Sequence, residues 1–243
     1  MSMVTHVRIT NSVLRSLSSK ECQCVLTDGE QLKLTYGDIL CEPGKPIQHV
    51  YFPNSGIISL LTPLDGHESV EVGLVGSEGM AGIGLFLGIS VSPVQMLVQG
   101  SGTATRMTAI SFRQGVKRCP ALQLALSHYL YTFMVQVAQT AACNRHHELG
   151  RRLARWLLMT HDRVQSNEFY LTQEFLAHML GVRRVGVTRA AGLLQERMLI
   201  SYRRGNITIL NRKGLERASC RCYQDVNKIR DRMFSLTVGH SPA

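Results

Sequence analysis

Arginines placed to grip a polyanion are the chemistry most open to reading in this chain. Arg183, Arg184 and Arg189 stand with Val185 and Thr188 in LGVRRVGVTRAAGLLQERM, and Arg203 and Arg204 follow in ISYRRGNITIL. A guanidinium is a planar fork that donates bidentately to a guanine edge or to a phosphate, and a helix is narrow enough to carry such forks into a major groove. Thr172 and Gln173, just upstream, supply neutral polar groups of the kind that fix a helix end against a phosphate backbone. These nine residues are the candidate DNA contacts.

The elements that must hold them are legible around them. Phe175, Leu176, Met179 and Leu180 give one helix an apolar face, with Thr172 as its N-cap and Glu174 in the first turn, where the helix dipole favours a negative charge. Gly181 ends it. Val187, Ala190, Ala191 and Leu194 recur at helical spacing between Val182 and Arg197, so Arg184, Thr188 and Arg189 fall on the opposite, exposed face. Leu199 to Tyr202 and Ile207 to Leu210 are short apolar runs joined by Arg203, Arg204, Gly205 and Asn206, which reads as a tight hairpin with charges at its tip. Two short helices, a longer one and a basic hairpin in that order make a winged helix-turn-helix.

Charge supports a polyanionic partner. The chain has 243 residues and a formal net charge of +10. Residues 1–144 hold nine Lys and Arg against nine Asp and Glu, whereas residues 145–243 hold eighteen against eight, so the excess lies wholly in the C-terminal part. No long amphipathic helix with a wholly basic side is visible, which argues against a membrane surface. The uncharged stretch Gly79 to Thr105 is broken by Gly82, Gly84, Gly88 and Pro93, so turns and buried strands are expected there instead of a membrane span.

The cysteines and histidines suggest little. Seven cysteines, two of them as Cys22-Gln-Cys24 and two as Cys220-Arg-Cys222, make no disulfide framework, and the polar N-terminus carries no secretory signal. A reduced, cytoplasmic protein is expected. His128, His146, His147 and His161 form no His-x3-His pair with a carboxylate or cysteine partner, so neither a metal nor another cofactor is anticipated. No phosphate-binding glycine loop followed by Lys and Ser or Thr occurs, and no Gly-x-Ser-x-Gly elbow, so an enzyme is not expected.

Upstream, residues 6–20 read as one short helix bearing Val7, Ile9, Val13, Leu14 and Leu17. LKLTYGDIL, HVYFPNSGIISLLTP and ESVEVGLVG are strand-like runs separated by turn signals, with a hairpin tip at Leu64-Asp-Gly-His67, and suggest a small barrel or roll. A long helix begins at Pro120. Within it Leu122, Leu126, Tyr129, Phe133, Val137 and Thr140 step by three or four, with Leu130, Met134 and Ala141 beside them, a stripe wide enough to serve both its own domain and a twin helix. Those six residues are the candidate dimer interface. HHELGRRLARWLLMTH supplies a further packed face through Leu149, Leu153, Trp156, Leu157 and Leu158.

Three pieces together, YGDILCEPGKPIQHVYFPNSGIISLL, GIGLFLG and LTQEFLAHMLGVRRVGVTRAAGLLQERMLI, resemble the cyclic-AMP receptor protein and fumarate-nitrate regulator (CRP/FNR) family of bacterial transcription factors. The resemblance implies an α+β fold: a cyclic-nucleotide-binding-like β-roll with flanking helices over 1–118, a dimerisation helix over 119–145, and a C-terminal winged helix-turn-helix over 146–243. It further implies a homodimer on palindromic duplex DNA, with RNA polymerase as a partner. The family's recognition helix carries an Arg, an acid and a second Arg; here those positions read Arg184, Val185 and Arg189, and the group that would accept from a cytosine amino group is missing. Members that bind cyclic AMP hold it with a Gly-Glu pair and an Arg-Ser pair, where this chain reads Ala81-Gly82 and Ser92-Pro93. Both the ribose acid and the phosphate arginine are absent, so the roll is expected not to bind cyclic AMP. The competing reading is a small-molecule sensor module that signals through protein or RNA contacts.

Overall fold

In the computed structural model, residues 9–65, 67–164 and 166–238 are described. The chain enters through a short helix, α1 (Ser12–Arg15), whose N-cap Asn11 accepts from the backbone of Val13 and Leu14, and continues into α2 (Ser19–Val25). The single helix expected over 6–20 is thus two, and its residues 6–8 lie outside the described part. The break has a local cause: Ser18 and Glu21 form a capping box, each side chain binding the other's backbone N–H, which starts a new helix at Ser19.

Five antiparallel strands follow: β1 (Glu30–Leu34), β2 (Ile39–Cys41), β3 (His49–Leu64), β4 (His67–Val75) and β5 (Gln95–Thr108). Their order is β1-β5-β3-β4, with β2 also on β5. Asp65 lies in the β3–β4 turn, and Gly66 of the expected tip falls outside the described residues. The long strand β3 is bulged around Gly56, which has φ 85°; a Cβ there would come within 2.5 Å of the Gly100 carbonyl, so the crossing with β5 demands glycine. Between β4 and β5 the glycine-broken segment makes one 3-10 turn, Ile83–Leu85.

Both faces of this sheet are covered. Val50, Phe52, Ile58, Leu60 and Val98 join a core closed by Met80, Leu85 and Phe112, while Ile57, Leu61 and Leu74 point the other way, into a second core shared with the C-terminal part. Alternation along β3 therefore separates two apolar cores and not a core from solvent.

Helix α3 (Ala109–Arg118), capped by Thr108, leads into α4 (Pro120–His146), a helix of 27 residues. Beyond it come α5 (Leu149–Val164), β6 (Glu168–Tyr170), α6 (Gln173–Leu180), α7 (Arg184–Glu196), β7 (Ile200–Arg203), β8 (Asn206–Ile209), α8 (Arg212–Ala218) and α9 (Cys222–Val238). Strand β6 adds to the hairpin, giving the order β6-β8-β7. Helix α9 turns back and lies along α4. Among the described residues, no helix is long and apolar enough to cross a membrane.

Candidate nucleic-acid interface

Helix α6 starts where Thr172 accepts from the Phe175 N–H at 3.1 Å, and stops at Gly181, whose φ of 61° is the left-handed cap that side chains resist. Its neighbour α7 buries Val187, Ala190, Ala191 and Leu194 and leaves Arg183, Arg184, Val185, Thr188 and Arg189 exposed, Val185 by 73%. The two helices are tied at their starts by Thr188, whose hydroxyl lies 2.6 Å from Gln173 Oε1. The N-cap Arg183 makes no side-chain cap hydrogen bond, so the positive dipole end of α7 lies uncapped beside Arg183 and Arg184.

The wing turns on Arg204 and Gly205, both at positive φ (48° and 86°), between paired Arg203 and Asn206. Such a turn matches the twist of the strands it joins. Both wing arginines are exposed. Tyr202 braces the strand against the reader: its hydroxyl donates to the Leu171 carbonyl at 2.6 Å, and burial pushes its pKa up to about 12. Between wing and helices runs a cleft of about 420 Å³ lined by Tyr170, Thr172, Gln173, Glu174, Arg184 and Arg204, among others.

The geometry thus brings Thr172, Gln173, Arg184 and Arg204 to one cleft, with Val185, Thr188 and Arg189 on the adjoining ridge of α7. The sequence reading missed Tyr170 and Glu174 as cleft residues, together with the strand that carries Tyr170. Tyr170 lies immediately before Leu171 and the N-cap and is 52% exposed, so its place beside the start of α6 is the only sign of it in the sequence.

The six residues expected at a dimer interface face the chain itself to differing degrees. Leu122, Leu126 and Tyr129 are buried inside the core of the chain's own N-terminal sheet domain, and Tyr129 donates to the Met80 carbonyl at 3.2 Å. Phe133 is pressed so closely on Gly73 that a Cβ there would lie 2.7 Å from its ring; Val137 neighbours the same glycine, and Thr140 accepts from Arg155 at 3.0 Å. All six sit on the side of α4 turned toward its own chain. The opposite side exposes Leu124, Ser127, Tyr131, Met134, Ala138, Ala141 and Arg145, stepping three, four, three, four along the helix. That is the 3.5-residue period of a coiled-coil seam. The first half of the apolar stripe packs into the chain's own core, and the exposed row opposite is masked in the sequence by its Ser and Ala members.

These features define a winged-helix DNA-binding protein behind a cyclic-nucleotide-binding-like sheet domain. The chain carries a Crp-like helix-turn-helix domain in its C-terminal part, and its fold is similar to that of CRP/FNR-family transcription regulators. Residues 151–218 match the model of the Crp-like helix-turn-helix domain. The global nitrogen regulator of Nostoc sp. (strain PCC 7120) is 25% identical over 185 residues, covering 69% of this chain and 79% of that protein. In fold, the chain is similar to a CRP/FNR-family transcriptional regulator of Thermus thermophilus (TM-score 0.65, 20% identity, 78% of this chain and 98% of that one). It is similar also to the c-di-GMP-responsive global regulator CLP of Xanthomonas campestris (TM-score 0.62, 18% identity, 79% and 99%).

Proposed function

We propose that this regulator works as a homodimer that reads a two-fold symmetric DNA site, with a sensor roll that does not hold cyclic AMP in the family's usual way. The observation that carries the DNA reading is the exposed set Arg184, Val185, Thr188 and Arg189 on α7, flanked by the wing arginines across a cleft. Two copies joined along the Leu124 to Arg145 seam would present two such readers, and half-site centres about 34 Å apart follow from one turn of duplex. Val185 in the acid's place takes away the acceptor for a cytosine amino group, so the half-site departs from the family's pattern at that base.

The sensor reading rests on Ala81, Gly82, Ser92 and Pro93. Gly82 has φ 89°, and a Cβ on it would come within 3.2 Å of the His49 carbonyl and the Val50 side chain, so the backbone there favours a glycine over an acid. A cyclic phosphate without a cation forfeits charge-assisted hydrogen bonds of roughly 1.5–3 kcal/mol each. The protein would act in the cytoplasm, on DNA and with RNA polymerase.

Binding selection from random duplexes tests the DNA reading: a palindromic consensus is the expected result, and enrichment of no symmetric sequence would overturn it. Titration calorimetry tests the sensor, with no tight binding of cyclic AMP or cyclic GMP expected. A micromolar or tighter constant, abolished by substitution between residues 79 and 95, would refute it.

A further inference from the structure

The last turn of α4 carries Cys143 and, one turn on, His147, which cap the same helix face; the His147 N–H donates to the Cys143 carbonyl at 3.0 Å. Far along the chain, Cys220 in the link between α8 and α9 and Cys222 at the start of α9 face one side, with Arg221 between them turned out to solvent. The fold brings these two pairs together. Cys143 Sγ lies 3.5 Å from Cys220 Sγ, and Cys222 Sγ lies 3.5 Å from His147 Nδ1. All four donor atoms fall within 4.8 Å of one another. The three thiols are buried and form a packing cluster separate from both apolar cores.

We propose that Cys143, His147, Cys220 and Cys222 hold a single zinc ion, which fastens the end of the long helix to the reader domain. The donor set decides the chemistry: three thiolates and one imidazole are the tetrahedral Cys3His arrangement of closed structural zinc sites. The spacing fits as well, since metal–sulfur bonds of about 2.3 Å give tetrahedral edges of about 3.8 Å, and four donors this close enclose one ion and leave no room for a cluster. A further side chain serves the site from outside. The Gln139 amide, one turn before Cys143, donates to Cys222 Sγ at 3.0 Å, which suits a thiolate acceptor and fixes its direction. On binding, the three thiols release their protons and the imidazole binds neutral through Nδ1, leaving one net negative charge at the site. Arg152 and Arg155 are close enough to Cys143 to interact with it electrostatically.

The placement gives the ion a mechanical role. Between α4 and α5 the chain passes through His147 and Glu148, the joint at which the reader domain leaves the long helix. A metal with ligands on both sides of that joint fixes its angle. In the sequence the one local sign of this site is the Cys143-x3-His147 pair at helical spacing.

Elemental analysis of the untagged full-length chain should find one zinc per chain. Cys143→Ala and Cys222→Ala should lose the ion, while Cys24→Ser, a thiol outside the cluster, and His147→Cys, which keeps four ligands, should retain it. Replacement of zinc by Co2+ in the unaltered protein should give the intense visible bands and sulfur-to-metal charge transfer of tetrahedral thiolate coordination, which reads the site without relying on any variant's folding. Unchanged metal content in Cys143→Ala, a weak octahedral cobalt spectrum, or a metal-free protein with a Cys143–Cys220 disulfide would overturn the proposal.

Discussion

Arg184 and Arg189 are both exposed, at the first residue of α7 and near its middle, and their loss should be visible base by base. Arg184→Ala and Arg189→Ala should each cost roughly 1–3 kcal/mol in binding and relax preference at a defined position, measured against a panel of single-base variants of the selected site. Arg203→Ala and Arg204→Ala should instead weaken all sequences alike and flatten the dependence of affinity on salt, because a wing tip meets phosphate. The sequence carried these residues because exposed cations at helical spacing need no partner to be noticed. The Cys3His cluster was harder: each pair is visible by itself, but the approach of residues 77 positions apart is a property of the fold.

Glu71 makes a second residue-scale prediction. It is buried between the sheet and α5, where desolvation pushes its pKa from 4.5 up to about 7, against hydrogen bonds from Trp156 Nε1 at 2.8 Å and Ser59 Oγ at 2.9 Å that favour the ionised form. The folded state therefore keeps a proton that the unfolded chain releases, and stability falls as pH rises from about 4.5 through about 7. Glu71→Gln should remove that slope and be more stable than the unaltered protein at pH 8, by on the order of 2–3 kcal/mol. Denaturant melts across the range check the sign.

At the scale of the element, α4 separates what its two sides do. Met134→Glu or Tyr131→Glu places a charge on the exposed seam, where the monomer tolerates it and a twin would have to desolvate it. Sedimentation should show dissociation with an unchanged melting temperature at low concentration. Phe133→Glu should act differently, since its half-buried ring packs on Gly73 within the chain: it should lower monomer stability itself, by about 1–3 kcal/mol. Periodicity revealed the helix and its start at Pro120, but a stripe of Leu, Tyr and Phe marks burial without saying against what. The strand β6 went unread for a related reason, as three residues are too few to show alternation.

For the whole molecule, the decisive feature is the core shared between sheet and reader. Ile57, Leu61 and Leu74 pack with Leu153, Trp156 and Leu157, Tyr36 reaches Tyr170 and Phe175 with ring centroids 6.4 and 6.1 Å apart, and Arg163 pairs with Glu78 at 2.6 Å. Sensor and reader should consequently unfold in one transition. Trp156 is the chain's one tryptophan and lies in this junction, so its fluorescence and the far-ultraviolet circular dichroism should share a midpoint; a fluorescence change that precedes loss of helix would show the two parts separating first. The composition had pointed to a neutral half and a basic half. It could not show that they share a core, because apolar residues on the outer face of a strand look the same whether a helix or another copy covers them.

That shared core also limits how this protein can be recombined. Regulators built as a sensor joined to a reader invite transplantation, with a new input grafted at the joint between the long helix and the DNA-binding unit. Here a graft at His147 would carry Trp156 and Leu157 away from the strands that cover them and bare the backs of β3 and β4 in the remnant. The inheritable unit is larger than the part that touches DNA. A working chimaera would have to bring the outward face of the sheet, Ile57, Leu61, Glu71 and Leu74, along with α5.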